Sequence, residues 1–307
     1  MSDTRVDIVG LGLATIDIMT LIPRLPQPDE VFRARRILLE GGGPVATALA
    51  AAAKLGATTA YLGPIAPTRW GSLTRAGLEA HGVDTSHAPT RTTGEQSVSV
   101  ILVDGPTGQR SILYDSGEIQ DLAPAEVPAE QIAAARVLHL DGVHLEAARH
   151  AAEIARQAGV TVSFDGGAGE LWAGVETLLP LVDLMVVARR FAQQHTGHAD
   201  PLQAGPALLE AYQPRQVVIT DGAQGCWYWD TRVYLHQPAF AIDAVDTTGA
   251  GDVFHGAYLY AFLQDWPARR CLAFAAAAAA LKCRTLGGRT GIPTAGETSR
   301  FLETFDG

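Results

Sequence analysis

Short apolar runs rich in β-branched residues recur through the chain at 8–11, 59–62, 137–140, 161–164, 184–187 and 216–220 and predict buried strands. Between them, residues 47–55, 145–158 and 204–211 carry apolar positions at helical spacing. Strands that alternate with helices in this way make a parallel sheet covered on both faces, a doubly wound α/β fold. Two stretches break the rhythm. Residues 14–40 hold three prolines among mixed apolar positions, and residues 96–116 alternate at Val98, Val100 and Leu102, then at Ile112 and Tyr114, around the turn Asp104-Gly-Pro-Thr-Gly108. The alternation predicts antiparallel strands.

Composition narrows the class. Of 307 residues, 47% are apolar, enough for a substantial core in one large α/β domain or two ordinary ones. No repeat or low-complexity linker divides the chain, so it reads as a single domain over 1–307. A net charge of −10 without a long acidic run argues against general binding of nucleic acid or anionic membrane. Cys226, Cys271 and Cys283 are too scattered for a disulfide framework or a zinc site and read as buried thiols in a reducing cytoplasm. Met1-Ser-Asp-Thr-Arg5 runs into the first strand with no signal-like segment, and no apolar run is long enough to span a bilayer. None of the nine histidines forms the helical pair of a zinc site.

The chemistry concentrates in Asp246-Thr-Thr-Gly-Ala-Gly-Asp252, which opens an apolar helical run over 253–263. Successive amides of Gly249, Ala250, Gly251 and Asp252 at a helix N-terminus converge on one point, where the helix dipole favours an anion. Asp252 stands beside that point as a proton acceptor, kept ionised by the helix terminus. The alternative is an ordinary N-cap by Asp252 or Thr248.

This segment closely resembles the C-terminal signature of the PfkB-type, or ribokinase-like, carbohydrate kinases. Gly41-Gly-Gly-Pro-Val-Ala-Thr-Ala-Leu-Ala50, continuing to Lys54-Leu-Gly56, resembles the N-terminal one. The likeness runs from Asp7 to about Phe301. It implies a ribokinase-like fold, ATP with Mg²⁺ as phosphoryl donor, Asp252 as base for a sugar hydroxyl, and an anion hole from Gly249, Ala250 and Gly251. The sugar contacts it implies are Asp17, Gly42, Gly43 and Thr47, with Thr47 standing where the family usually has Asn. Asp141 follows a strand end and is either a further sugar contact or a turn residue, and Arg110 is the candidate cation for an anionic sugar group. Thr220, Gly222, Gly225, Thr248, Ala280 and Cys283 fall where the nucleotide lies, although residues 220–225 also suit a plain hairpin turn. Asp246, Thr248 and carbonyls of 284–291 match a monovalent-cation (K⁺) site.

One expected element is missing, because the strand end near 187 reads Val187-Ala-Arg-Arg-Phe191 in place of the usual Asn and Glu that organise Mg²⁺, and arginine cannot ligate a cation. Residues 235–255 and 281–293 resemble the sulfofructose kinase branch. The expected activity is phosphorylation of a ketohexose or related small sugar, with a sulfosugar, a nucleoside or a non-catalytic sugar- or nucleotide-binding role as alternatives. The resemblance also implies that the segments at about 14–40 and 96–116 form a small antiparallel β-lid over the sugar site, and because the family's lids often pair two subunits, it implies a homodimer.

Overall fold

A computed structural model of the chain describes residues 5–167 and 173–305, so the reading of the extreme N-terminus lies largely outside the described residues. The strands are β1 (Ile8–Leu11), β2 (Thr15–Ile22), β3 (Arg36–Gly42), β4 (Thr59–Tyr61), β5 (Val83–Asp84), β6 (Val98–Asp104), β7 (Arg110–Asp115), β8 (Val137–Leu140), β9 (Thr161–Asp165), β10 (Leu184–Ala188), β11 (Gln216–Thr220), β12 (Cys226–Trp229) and β13 (Tyr234–Gln237). The helices are α1 (Pro44–Leu55), α2 (Arg69–Ala80), α3 (Ala129–Ala134), α4 (Leu145–Gln157), α5 (Arg189–Thr196), α6 (Pro201–Tyr212), α7 (Ala250–Leu263), α8 (Ala268–Lys282) and α9 (Ala295–Glu303).

The apolar strands assemble into one sheet in the order β13-β12-β11-β10-β9-β8-β1-β4-β5. It is parallel from β5 to β11 and antiparallel only at β12 and β13. Side chains of α1, α7 and α8 fill one face, and those of α4, α5 and α6 the other. Because β1 lies between β4 and β8, winding reverses there, and the crevice at the carboxyl ends of β1, β8 and β9 is where such sheets bind ligands. Among the described residues no helix is long and apolar enough to cross a membrane.

The lid is a four-stranded sheet, β3-β2-β6-β7. Its outer pairs are antiparallel, as expected, but its central pair β2·β6 is parallel. Two hairpins lie side by side with their first strands running the same way, so the lid is mixed rather than wholly antiparallel. Met19, Ile101 and Val103 face inward against Leu286, which seats the lid on the loop after α8.

Candidate active site

Helix α7 begins at Gly249, whose φ of +74° is the left-handed conformation that glycine adopts without penalty. No side chain caps the helix, so the N-cap reading fails. The amide of Thr248 donates to Asp246 Oδ1 at 2.8 Å, and that of Ala250 donates to the Thr247 carbonyl at 3.3 Å. Among the described residues no acceptor takes the amides of Gly251 and Asp252. The cradle is therefore narrower than four successive amides, because Ala250 is partly spent on its own turn. Gly251 is exposed, with open space where a side chain would stand.

Asp252 keeps some solvent access. Desolvation, reinforced by Asp165, pushes its carboxyl up to about 7, against the pull of His255 and Arg110. This corrects the expectation that the helix terminus keeps it firmly ionised; desolvation outweighs the terminus. A base poised near neutrality is well matched to abstracting a proton from a hydroxyl.

Near Asp252 lies a buried group that the sequence did not disclose. His139 from β8, Asp165 from β9 and His255 from α7 bring ligand-type atoms within 4.8 Å of one another. His255 Nε2 lies 3.3 Å from Asp165 Oδ2. Burial pulls His139 down to about 3, so it is neutral, whereas burial alone would raise Asp165 but the two histidines bring it below its usual range. The three side chains come from distant segments, so no local spacing could have signalled them.

The residues expected to contact a sugar converge from the lid and α1. Asp17 on β2 lies beside β3, where Thr15 pairs with Gly42 and Asp17 with Glu40. Thr15 Oγ1 donates to Asp17 Oδ1 at 2.7 Å, and burial raises the Asp17 carboxyl above its usual range. A Cβ on Gly42 would stand 2.1 Å from Asp17 Oδ2, so the missing side chain leaves the carboxylate its place. Gly41 and Gly42 are strand residues and Gly43 is the N-cap of α1 at φ +92°, which replaces the flexible-turn reading of this glycine run. Thr47 is buried, and its hydroxyl accepts from Arg289 Nε at 3.2 Å.

Arg289 itself escaped the sequence reading. It is fully buried, donates from Nη2 to the Gly42 carbonyl at 2.7 Å, and takes Glu40 Oε2 on its backbone amide. The signal that was available is steric and slight: a Cβ at Gly41 would collide with the Arg289 guanidinium, so that glycine leaves room for the long side chain.

Asp141 is wholly buried and accepts from the amides of Leu13 at 2.8 Å and Val143 at 3.0 Å; burial lifts it to about 7. Each oxygen thus holds a main-chain amide, and the residue anchors the turn between β1 and β2. A cavity of about 230 Å³ opens alongside, lined by Gly12, Tyr61, Ser97, Tyr114 and His144 among others.

Of the residues expected along the nucleotide, Thr220 ends β11 and residues 220–225 form the tight connection to antiparallel β12, with the Asp221 amide donating to the Gly225 carbonyl at 2.9 Å. Gly222 and Gly225 thus belong to a hairpin connection at the carboxyl end of the sheet. The Cys283 carbonyl accepts from Val245 and Asp246 amides at 2.8 and 3.2 Å, tying α8 to the Asp246–Asp252 segment, and Ala280 lies one turn earlier, partly exposed. Thr248 is buried with its hydroxyl unpartnered. Arg189 donates to Asp221 Oδ2 at 3.0 Å, a surface ion pair. No carboxylate replaces the missing Asn–Glu pair at the end of β10, so no residue of this chain is assigned to Mg²⁺.

A doubly wound sheet, a capless glycine-rich helix start and an adjacent near-neutral carboxylate are parts that phosphoryl transfer can use. The chain belongs to the pfkB family of carbohydrate kinases, whose family model matches residues 5–295. It is 30% identical to an ATP-dependent ribose-1-phosphate kinase from Halopiger xanaduensis, over 98% of this chain and 100% of that protein. Its fold matches a protein provisionally designated a ribokinase from Agrobacterium tumefaciens with a TM-score of 0.88 and 26% identity, covering 98% of this chain and 99% of the other. A second fold match, at 0.83 and 21% identity over 97% and 99% of the two chains, is an E. coli protein provisionally designated ribokinase II, in complex with ATP and Mg²⁺. The chain is thus a sugar or nucleoside kinase of this family.

Proposed function

We propose that this kinase transfers the γ-phosphoryl group of Mg²⁺–ATP to a hydroxyl of a small sugar, a ketohexose or pentose held beneath the lid. The observation that carries the reading is the pairing of the unengaged Gly251 and Asp252 amides with the Asp252 carboxyl at about 7. Asp252 accepts the hydroxyl proton as the oxygen attacks, and the amides with Gly249 stabilise charge on the transferring group. Asp17 and the Gly42–Gly43 backbone orient the sugar, and Thr47 donates its hydroxyl proton. Thr220, Gly222, Gly225, Thr248, Ala280 and Cys283 line the nucleotide. Mg²⁺ arrives with ATP and neutralises its phosphates.

A second reading, a sugar bearing phosphate or sulfonate, is favoured by Arg110. Its guanidinium reaches Thr247 in the base-bearing segment and pulls on Asp252 electrostatically, as an anion-binding cation should. The sulfofructose kinase branch and the ribose-1-phosphate relative belong to this reading. A nucleoside substrate and a non-catalytic binding role complete the set. Three free, buried cysteines support a reducing cytoplasm, and the exposed apolar face of the lid supports a homodimer.

The test is ADP release from Mg²⁺–ATP with fructose, ribose, 2-keto-3-deoxygluconate, their phosphates, sulfofructose and adenosine, with Asp252→Asn alongside. One strong signal that Asp252→Asn abolishes upholds the kinase reading and names the substrate class. Binding of sugar or nucleotide without turnover of any of them overturns it.

A further inference from the structure

Lys282, the last residue of α8, is wholly buried, and so is Asp246. Lys282 Nζ donates to the Asp246 carbonyl at 3.0 Å and lies 3.9 Å from Asp246 Oδ2. The other acceptor capacity is also taken up: Asp246 Oδ1 receives the Thr248 amide at 2.8 Å and Oδ2 the Gly287 amide at 2.9 Å. The Cys283 carbonyl holds two further amides, those of Val245 and Asp246. An ammonium therefore occupies the position against Asp246 where a K⁺ ion was expected. The only buried side-chain oxygen left unpartnered in this segment is Thr248 Oγ1, and one hydroxyl is no cage for a metal ion. A cation held by the carbonyls of 284–291 would have to share Asp246 with the ammonium that already donates to it, and on that ground the residues present do not fit a bound monovalent cation.

An ammonium in that position has a task. Asp246 begins the turn that ends at Gly249, and Gly249 sets the direction of the cradle amides and of Asp252. Withdrawing the positive charge would leave a buried carboxylate held by amides alone, at the foot of a segment whose geometry must be held closely for in-line transfer. Burial pulls the Lys282 ammonium below its usual range, and Asp246, Cys283 and Glu40 oppose that pull while Arg110 adds to it.

We infer that Lys282 is a built-in cation: its ammonium fixes the Asp246–Gly249 turn in place of a dissociable monovalent metal ion, so the enzyme works without K⁺. Lys282 is a positioning residue, since it acts through Asp246 and touches neither substrate nor base. The inference rests on the reading of 246–252 as the phosphoryl-transfer segment.

The experiment compares KCl, NaCl and tetramethylammonium chloride at equal ionic strength, on wild type and Lys282→Met, following both turnover and melting temperature. Wild-type turnover and Tm should be the same in all three salts. Lys282→Met should lose turnover by about 10²-fold in tetramethylammonium, the scale of a small misplacement of reacting groups, and recover part of it in KCl or methylammonium chloride, with a Tm that rises only in those salts. Activation of the wild type by K⁺, or full turnover of Lys282→Met in tetramethylammonium, overturns the inference. If Lys282→Met does not fold, wild-type turnover in the three salts decides alone. If no sugar is turned over in any salt, the kinase reading has failed separately and melting still decides: a K⁺-specific rise in wild-type Tm overturns the built-in cation, and its absence in wild type with its presence in Lys282→Met upholds it.

Discussion

Arg110 Nη1 donates to Thr247 Oγ1 at 3.0 Å, and Thr247 Oγ1 in turn donates to the Gly108 carbonyl at 3.3 Å. The tip of the lid hairpin thus grips the segment that carries Asp252, and the guanidinium lowers the Asp252 carboxyl electrostatically. Removing that cation should let desolvation and Asp165 raise Asp252 further. Arg110→Ala is expected to move the acidic limb of the pH profile of kcat/KM to higher pH. An unmoved limb, with only KM altered, would show that Arg110 serves substrate binding alone.

The wild-type profile follows from the same carboxyl. A base works deprotonated, so kcat/KM should climb with pH and level off above about 7, falling about tenfold per unit on the acid side. Asp252→Asn should lose ~10²–10⁴ in turnover and keep nucleotide affinity. Its Tm at pH 8 should not drop, because the amide carries no charge to desolvate. Retained turnover in Asp252→Asn would remove the base assignment.

Gly42→Ala tests the sugar side. The new methyl group would collide with Asp17 Oδ2 on the neighbouring strand, and that carboxylate is already confined by Thr15. Sugar KM should rise at least tenfold, with stability down by about 1–3 kcal/mol for overpacking, while the KM for ATP stays put. A rise in both KM values would mean general damage rather than a displaced sugar contact.

Arg289→Met tests the buried cation that joins the two halves of the site. The substitution keeps most of the stem but leaves the Gly42 carbonyl and Thr47 hydroxyl without their donors, and Asp17 and Glu40 without the nearby positive charge. Breaking a buried charged network costs about 3–5 kcal/mol, readable by urea unfolding. A loss under about 1 kcal/mol, the scale of an ordinary exposed ion pair, would mean that Arg289 is not the clasp its contacts describe.

The parts of this molecule legible in sequence are those whose cause is local. Strands at 8–11, 137–140 and 216–220 match the sheet residue for residue, because continuous burial on both faces writes an unbroken apolar run. The start of α7 was legible because a glycine-rich turn and a following apolar helix are both local. Helix α1 begins three residues earlier than its apolar spacing suggested, at Pro44 behind the Gly43 cap, a position where proline loses no helical hydrogen bond. What stayed hidden is what depends on long-range approach. The parallel β2·β6 pairing, the His139–Asp165–His255 group, the Arg289 clasp across some 240 residues to Gly42 and Thr47 and the Lys282 ammonium against Asp246 all join residues that no periodicity relates.

The lid offers the last prediction. Its register aligns Leu39, Ile18, Val100 and Leu113 in one row across all four strands. Leu39 is 48% exposed and Leu113 58%, and every residue of the edge strand β7 is exposed. Met19, Ile101 and Val103 already bury the opposite side, so the exposed row has no partner within the chain. Contiguous apolar surface of this kind marks an association face, and a second copy presents the same row. Sedimentation of the wild type should report a dimer, and Leu39→Glu with Leu113→Glu a monomer, since the paired rows would then oppose like charges in a desolvated interface. Sugar KM should rise in the double variant if the partner's lid steadies each cleft. A wild type that sediments as a monomer at micromolar concentration would sink the lid-to-lid dimer and leave the row to another partner.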